Sequence, residues 1–443
     1  MKILQVLNYF LPDETAGTEV YVWALSKELQ QQHETVEVMI PNHGKSNTGT
    51  YSYDEIKVVK YAEPSVIDRD LIMGRKAPDG LVNFIAYINE IKPDIIHFHE
   101  ITGSNGITLH HVLAAKKSGA KVIMTFHLAS NTCKTGTLMY LGKNLCDGKI
   151  DISKCSKCFM NSKGTSTITN IALNLSSVLY NLNVNVSTWN NKIGTALGTH
   201  GLLKVFQNNF NTLIDNCDKV VTLTDWYKNI LIRNGVNENK IKTIKQGLVY
   251  KSSVPMPATS NQNNKTLRIL FLGRISPFKG LHLLIEAIKH LPSHEMSLHI
   301  YGQSTKDQTY ETKLKEETIF YSNIHWMGKL NPENVLSTLQ QFDVLCLCST
   351  FSEMSPLVIQ EAFAAGIPVI ASNVYGNAEQ IQHEENGLLF DFNDSNSLAL
   401  QIKRLLEEPL LLKTLKQHIR KPKSFEKIGE EYRHLYDEVM INK

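Results

Sequence analysis

The chain has 443 residues, of which 42% are hydrophobic and 20% are charged, and its formal net charge is +3. At roughly 100–200 residues per domain, this length predicts two or three domains, each long enough to build its own core. So small a net charge gives no argument for nucleic-acid binding. No run approaches the ~18 apolar residues that a membrane span needs, and residues 1–8 lack the cleavage site of a secretory leader. We expect a cytoplasmic protein, at most attached to the inner face of a membrane.

The first half of the chain alternates short apolar runs with helical patterns. The helical patterns cover residues 20–31 and 79–91. The apolar runs predict strands at residues 2–7, 35–40, 56–61, 94–98, 121–126 and 218–223. Strands that alternate with helices are typical of βαβ units and a parallel sheet. We therefore expect an α/β domain over residues 1–250.

Residues 128–200 interrupt this rhythm with a polar insertion of helices and loops. The insertion contains Cys133, Cys146, Cys155 and Cys158, of which the last two form a C-x-x-C pair. Four thiolates suit tetrahedral zinc, so these cysteines predict a structural zinc site. Redox-active or disulfide-paired cysteines, and unrelated free thiols, are the alternatives.

A stretch rich in Pro, Ser and Asn at residues 251–265 lacks apolar periodicity, which predicts a linker. The alternation restarts after it, with a helix expected at residues 280–289. Strands are expected at residues 267–272, 297–301, 343–347, 368–371 and 388–390. We expect a second α/β domain over residues 266–420 and, over residues 421–443, a helix that returns to the first domain.

A cationic loop follows the first strand of this second domain. Gly273 permits a tight turn, and Arg274 and Lys279 lie five residues apart. A guanidinium offers a planar fork to phosphate oxygens, and an ammonium offers a compact charge. Two such cations match a nucleotide diphosphate. A solvated loop with two surface charges is the alternative.

A short helix is predicted to start at Pro356 and to end at Gly366. The free N–H groups and the positive dipole end at its N-terminus favour phosphate. Glu353 precedes this helix and Glu361 lies on it. Carboxylates are good acceptors for the hydroxyls of ribose and of a sugar. Charge complementarity with the helix dipole for Glu353, and a solvated helix face for Glu361, are the alternatives.

The combined spacing resembles glycosyltransferase family 4, a large family of retaining enzymes with the GT-B fold. The motifs that carry the resemblance are Gly273-Arg274, Lys279-Gly280, Glu353 and Glu361 with the following Ala-x3-Gly-x-Pro-Val-Ile, and then Gly376, Glu379 and residues 386–390. The resemblance covers the C-terminal half almost completely and the N-terminal half more loosely. It implies two Rossmann-like domains that face a cleft. Met354 departs from the family pattern, in which many members have glycine.

The resemblance also implies a role for each residue of the donor site. Arg274 and Lys279 would bind the donor diphosphate and stabilise it as the leaving group. Glu361 would hold the ribose hydroxyls, and Glu353 would contact the transferred sugar. The remaining donor-binding positions are Gly273 and the backbone amides near Leu357 and Val358.

Two positions in the first domain match the family more loosely. Gly17 lies in a loop where the family often has two glycines next to the donor phosphate, and this chain has Ala16 before it. Simple turn geometry, with Thr18 as the N-cap of the first helix, is the alternative. His127 follows the strand at residues 121–126, and Thr125-Phe126-His127 resembles the family's Thr-x-His. It would form a hydrogen bond with the donor sugar.

The implied activity is transfer of a sugar, with retention, from a UDP- or GDP-sugar to a glycan or lipid-linked hydroxyl acceptor. Polysaccharide or glycoconjugate biosynthesis is the implied setting, and the donor site would need no metal. A subset of the family has similar cysteines after the histidine of the cleft. The alternatives are a nucleotide-sugar epimerase of the same fold and a non-catalytic interaction module that carries zinc.

Overall fold

A computed structural model describes residues 1–72, 74–102, 105–164, 169–184, 186, 189, 191–249, 266–305 and 307–441. The predicted linker at residues 251–265 lies outside these described residues. The chain divides into two compact units. The first unit contains Met1–Gly142, Cys146–Lys245 and the segment from Phe425 onward, and the second contains Lys143–Leu145 and Gln246–Ser424.

The strands and helices have the following bounds. The strands are β1 Lys2–Val6, β2 Thr35–His43, β3 Gly49–Tyr53, β4 Ile56–Glu63, β5 Ile95–His99, β6 Lys121–Phe126, β7 Met139–Tyr140, β8 Asn144–Leu145, β9 Lys219–Thr222, β10 Ile241–Thr243, β11 Leu267–Leu272, β12 Met296–Tyr301, β13 Ile324–Gly328, β14 Val344–Leu347, β15 Val369–Ser372 and β16 Gly387–Phe390. The helices are α1 Gly17–Gln31, α2 Arg69–Ile72, α3 Leu81–Ile91, α4 Leu109–Lys117, α5 Ile152–Ser162, α6 Thr169–Asn181, α7 Lys192–Leu197, α8 Thr199–Asn216, α9 Asp225–Arg233, α10 Leu281–Lys289, α11 Thr309–Thr318, α12 Val335–Leu339, α13 Leu357–Ala364, α14 Tyr375–Ala378, α15 Ser395–Glu407, α16 Leu411–Gln417 and α17 Phe425–Ile441.

The first unit is built on a sheet with the strand order β10-β9-β6-β5-β1-β2-β4-β3. Its paired strands run parallel, except that β3 pairs antiparallel with β4. Strand β2 pairs with one edge of β1, β4 and β3 extend the sheet on that side, and β5 then pairs with the other edge of β1. The order therefore reverses between β1 and β5. In open parallel sheets, the crevice at the carboxyl ends of the strands at such a point is the usual ligand site.

Helix α17, the last helix of the chain, packs in the first unit. Its Tyr432 and Tyr436 are fully buried, and the Phe425 ring lies edge-on to Tyr21 of α1, with ring centroids 5.0 Å apart. The Tyr21 hydroxyl donates to the Tyr432 hydroxyl at 2.9 Å. This packing joins the C-terminal segment to the N-terminal helix through both apolar contact and a buried hydrogen bond.

The second unit has a parallel sheet with the order β13-β12-β11-β14-β15-β16. Side chains of β11 alternate between two apolar cores, with Ile269 and Phe271 in one and Leu270 in the other. Such alternation places one core on each face of the sheet. The strand order reverses between β11 and β14, which predicts a ligand crevice after these two strands.

The strands and helices predicted from the apolar pattern are confirmed, with ends shifted by at most about four residues. The strands β3, β7, β8, β10 and β13 were not predicted. β3 is short and polar at the sheet edge, so it lacks the apolar signal, and β7 and β8 are two-residue strands in the insertion where only helices and loops were expected. Two details of helix capping were wrong. Ala16, in extended conformation, is the N-cap of α1 in place of Thr18, and Pro356 is the N-cap of α13 and not its first helical residue.

Within the described stretches, no helix is both long and apolar enough to cross a bilayer.

Candidate active site

The predicted donor residues of the second unit lie after β11 and β14, on both sides of the strand-order reversal. Gly273 and Arg274 follow β11 directly, and Glu353 follows β14. The Gly273 amide donates to Tyr301 O of the neighbouring β12 at 3.1 Å, which holds the turn against the sheet. The Arg274 side chain is exposed and has no ion pair with any described residue. It is therefore free to turn toward a ligand.

Lys279 and Glu353 form one ion pair rather than two separate groups. Lys279 Nζ lies 2.5 Å from Glu353 Oε1, and the Ser349 hydroxyl donates to the same oxygen at 2.6 Å. Glu353 is buried, and the ammonium also lies over the Phe351 ring, 5.5 Å from its centroid. The carboxylate fixes the lysine at the carboxyl end of the sheet, and the lysine neutralises a carboxylate that would otherwise repel phosphate.

Two glycines allow the backbone to close around this pair. Gly280 has a φ of 67°, and a Cβ at this position would lie 1.8 Å from Cys348 O. A Cβ at Gly376 would lie 2.0 Å from Glu353 O. Any larger residue would displace the β14 loop or the segment that carries Glu353. The glycines are therefore required by close approach of the backbone, a reason that spacing in the sequence does not reveal.

Helix α13 follows Glu353 in the chain. Its N-cap residue, Pro356, makes no side-chain hydrogen bond to the first N–H groups, so the amides near Leu357 and Val358 can serve an anion. The helix ends where Gly366 adopts a φ of 74°, as the sequence predicts. This N-terminus can supply backbone donors and a positive dipole end without any metal.

Glu361, on the same helix, has no side-chain hydrogen bond or ion pair with the described residues. It keeps part of its surface accessible, while burial raises the pKa of its carboxyl to about 7. A carboxyl without partners in such surroundings is costly to ionise. Ligand hydroxyls would supply the missing hydrogen bonds, which fits the predicted contact with ribose.

His127 of the first unit is a buried, neutral imidazole. Its Nε2 lies 3.0 Å from Nδ1 of His99, and the Tyr21 ring packs edge-on against it at 5.0 Å. Burial lowers the pKa of His127 to about 3. The ring therefore acts by hydrogen bonding in its neutral form and not as a cation. The predicted contact with a sugar hydroxyl requires no more than that.

Glu100 holds the loop that carries His127, and sequence reasoning missed it. Its carboxylate accepts from the amides of His127 and Leu128 at 3.1 and 2.9 Å and from Ser130 Oγ and Asn131 Nδ2 at 2.8 and 2.6 Å. Burial raises the pKa of Glu100 to about 7 although these hydrogen bonds lower it. Its φ of 76° is unusual for a residue other than glycine. A strained, buried carboxylate of this kind indicates a functional position.

Gly17 is the first residue of α1, whose N-terminus has no side-chain cap. The next residues, Thr18 and Glu19, line a cavity of about 600 Å³ in the first unit. Its walls also include His99 and Glu100 at the end of β5, Ser130, Asn131 and residues 133–136 of the insertion, and part of helix α8. The cavity thus lies at the strand-order reversal of the first sheet. Lys134 faces it, with its ammonium 5.5 Å from the Phe206 ring centroid and its pKa lowered by burial.

A series of buried hydrogen bonds connects α17 to His97 and Thr125 of the first sheet. Tyr436 OH lies 2.8 Å from His97 Nδ1, and His97 Nε2 lies 2.7 Å from Thr125 Oγ1. Thr125 Oγ1 in turn lies 3.0 Å from the Tyr432 hydroxyl. Burial holds the pKa of His97 well below its usual value. No local pattern in the sequence indicates that His97 meets a partner more than 300 residues away.

The four clustered cysteines line one small cavity of about 20 Å³, yet each described thiol is free. The sulfurs face different neighbours: Cys133 Sγ lies 3.2 Å from Thr135 Oγ1, and Cys158 Sγ lies 3.6 Å from Met139 O. Burial raises the pKa of Cys146 and Cys158, and that of Cys155 to about 11. Over the described part of the chain, no group of three or more His, Cys, Asp or Glu could hold a metal ion. The predicted zinc site thus gains no support.

Comparison with known proteins agrees with this architecture. Residues 256–422 match the family model described as glycosyl transferases group 1, and residues 10–143 match the model described as glycosyl transferase 4-like. The solved structure of Anabaena HepE in complex with UDP and glucose superposes with a TM-score of 0.64 at 15% identity, over 99% of both chains. The chain has the GT-B fold.

Relatives by sequence match this GT-B chain over less of its length. The Bacillus subtilis protein YtcC is 29% identical over 47% of this chain and 56% of its own length. The O-antigen biosynthesis glycosyltransferase WbnH of Escherichia coli is 29% identical over 39% of this chain and 46% of its own length. The GT-B chain therefore spans about half the length of these curated relatives.

Proposed function

We propose that this chain is a retaining glycosyltransferase that takes a sugar from a nucleotide diphosphate donor and passes it to a hydroxyl acceptor. The observation that carries the proposal is the crevice after β11 and β14. It combines the Lys279–Glu353 pair at 2.5 Å, the uncapped N-terminus of α13, and a carboxyl at Glu361 that has no partner among the described residues. These groups supply what a nucleotide diphosphate needs: positive charge, backbone donors and an acceptor for ribose.

Each group of the second unit has a distinct role in this proposal. Arg274 and Lys279 bind the diphosphate and stabilise the charge that develops on it as the sugar departs. The amides near Leu357 and Val358 bind the same phosphates, with Gly273 giving them access. Glu361 accepts hydrogen bonds from the ribose hydroxyls. No divalent ion is needed, because cations and a helix terminus supply the positive charge.

Glu353 serves the transferred sugar in this proposal. One of its oxygens is occupied by Lys279 and Ser349, which leaves the other for a sugar hydroxyl. When phosphate draws Lys279 away, the carboxylate gains acceptor capacity for the sugar. The ion pair therefore couples the two halves of the donor.

In the first unit, His127 and Gly17 are the residues proposed to contact the donor. The neutral His127 ring forms a hydrogen bond with the donor sugar, and Glu100 positions it through the loop amides. The cavity of about 600 Å³ beside Glu100 is the proposed acceptor site. Its walls include apolar Val205 and cationic Lys134, which suit a glycan or lipid-linked acceptor. The relatives named above, one of them an O-antigen enzyme, support polysaccharide or glycoconjugate synthesis as the setting.

The first experiment is a thermal-shift screen with UDP-, GDP- and ADP-sugars, followed by a transfer assay with chelator present. The anomeric configuration of the product, determined by NMR, tests retention. Lys279→Met and Glu361→Gln should weaken donor binding, whereas Lys403→Met, on the exposed face of α15, is the control. Full transfer by both site variants would refute the site. Release of an isomerised sugar without acceptor would instead indicate an epimerase, and no nucleotide binding would indicate a non-catalytic module.

A further inference from the structure

Helix α6 of the insertion turns a small, polar side toward the protein. Ala172 and Ser176, one helical turn apart, are buried. Ser176 Oγ accepts from the His200 amide at 3.1 Å and lies 3.1 Å from His200 Nδ1. These two hydrogen bonds to α8 fix the rotation of the helix about its axis. The opposite side of α6 therefore faces away from the fold.

That outward side is apolar. Ile171, Leu175, Val178 and Leu182 are between 50% and 66% exposed, and their spacing places them on one face of the helix. Ile193 of α7, a helix that packs on α6, is 64% exposed. We call these five residues the α6 face. A surface helix ordinarily buries such residues and exposes polar ones, so the pattern of α6 is inverted.

The segment that carries the α6 face is rich in lysine, and the acids nearest to it in the sequence are Asp151 and Asp215, with Asp68 and Asp70 beside Arg69. Residues 152–214 contain five lysines and neither Asp nor Glu. Lys157, Lys163 and Lys192 are exposed, and the Arg69 guanidinium donates to Thr195 Oγ1 of α7 at 2.9 Å. Helix α6 itself has no charged residue. Exposed apolar side chains in a segment with exposed lysines match the interface of a bilayer with anionic headgroups.

We propose that the α6 face docks on an anionic lipid surface. The apolar side chains enter the boundary between headgroups and acyl chains, while the lysines remain level with the lipid phosphates. Trp189, half exposed beside α7, is of the residue type enriched at such boundaries. A protein partner would cover an apolar face equally well, but it would not require a segment of residues 152–214 that contains lysines and neither Asp nor Glu. The surface belongs to the first unit and does not depend on the proposed transfer reaction.

Co-sedimentation tests the proposal with the full chain and vesicles of phosphatidylcholine, with and without phosphatidylglycerol. We expect sedimentation only with phosphatidylglycerol, with binding that weakens as salt is added. Leu175→Asp should lower the partition coefficient at least about tenfold, because one leucine is lost from the interface. Lys163→Gln and Lys192→Gln should each lower it by roughly fivefold. Leu400→Asp, at a similarly exposed leucine of α15, should leave it unchanged.

Thermal melts and nucleotide binding of each variant verify that the chain is folded, and Ile193→Asp provides a second apolar site on another helix. Three outcomes would overturn the proposal. The first is no sedimentation with phosphatidylglycerol vesicles, and the second is an equal loss with Leu400→Asp. The third is a dimer in lipid-free solution that Leu175→Asp dissociates, because a second copy would then cover the α6 face. Vesicle binding by a chain that transfers no sugar would leave this proposal standing and would remove only the proposed function.

Discussion

The carboxyl of Glu361 makes donor binding depend on pH in a way that can be worked out. Its pKa is about 7 because burial opposes ionisation, and no described residue compensates the charge. One pH unit below that pKa about a tenth of the groups are ionised, and one unit above it about nine tenths are. If the ionised form binds ribose, donor affinity rises by nearly tenfold over these two units, or about 1.3 kcal/mol.

The assay is calorimetry with the nucleotide sugar that gives the largest thermal shift. A nucleotide sugar is preferable to free UDP, because its diester phosphates do not titrate near neutrality. Glu361→Gln removes the titrating group and keeps the shape, so its affinity should stay near the low-pH level of the unmodified chain. An affinity that does not change with pH in the unmodified chain, or that changes in parallel in the Gln variant, would refute the assignment of Glu361.

The same pKa carries a stability consequence with a definite sign. Between the ordinary value of 4.5 and about 7, the folded chain holds this proton more tightly than the unfolded chain does. The free energy of unfolding therefore falls as pH rises through that window. Glu361→Gln removes this titrating group, so the melting temperature of the variant should fall less steeply as pH rises through the same window.

Three further variants test other parts of the site. Lys279→Met should weaken donor binding by at least about tenfold, since it removes a charge-assisted contact. It should also lower the melting temperature, because Glu353 is left buried without its cation. The control Lys403→Met should change neither donor binding nor the melting temperature. Glu100→Gln places an N–H group against donors, so turnover should fall with donor affinity little changed, as measured by steady-state kinetics and calorimetry. Metal analysis of the purified chain, with Cys155→Ser for comparison, tests the predicted zinc site. That prediction is wrong if the unmodified chain contains no zinc and its four clustered cysteines react as free thiols.

The sequence was sufficient to select the residues of the proposed donor crevice because their signals are local. Lys279 and Glu353 lie in loops directly after apolar strands, and parallel strands bring such loops to one edge of a sheet. The ion pair between them was not predictable, since it depends on which strands become neighbours. β11 and β14 are adjacent only because the strand order reverses there. The sequence assigned the two residues to separate parts of the donor, whereas the fold joins them.

The first unit was less predictable for the same physical reason. Glu100 directly follows a strand and belongs to no motif in the sequence, and its role comes from four donors on a loop about 30 residues later. Tyr432 and Tyr436 lie one turn apart on α17, and both are buried. Their hydroxyl contacts with Thr125 and His97 span more than 300 residues. Apolar periodicity indicates that such side chains are buried, but it does not indicate which polar groups they meet.

The hydrogen bonds that link His127 to His99 and His99 to Gln5 determine which nitrogen of His127 can form a hydrogen bond with the sugar. His99 Nε2 lies 2.7 Å from Gln5 Oε1, and a carbonyl oxygen only accepts, so His99 Nε2 carries the hydrogen. His99 Nδ1 must then accept from His127 Nε2–H, across 3.0 Å. His127 Nδ1 is left as an acceptor, so a sugar hydroxyl donates to it. Nitrogen NMR of the histidines should show the Nε2–H form of His127, and Gln5→Met should mix the two forms and lower turnover. An Nδ1–H form in the unmodified chain would reverse the direction of this hydrogen bond.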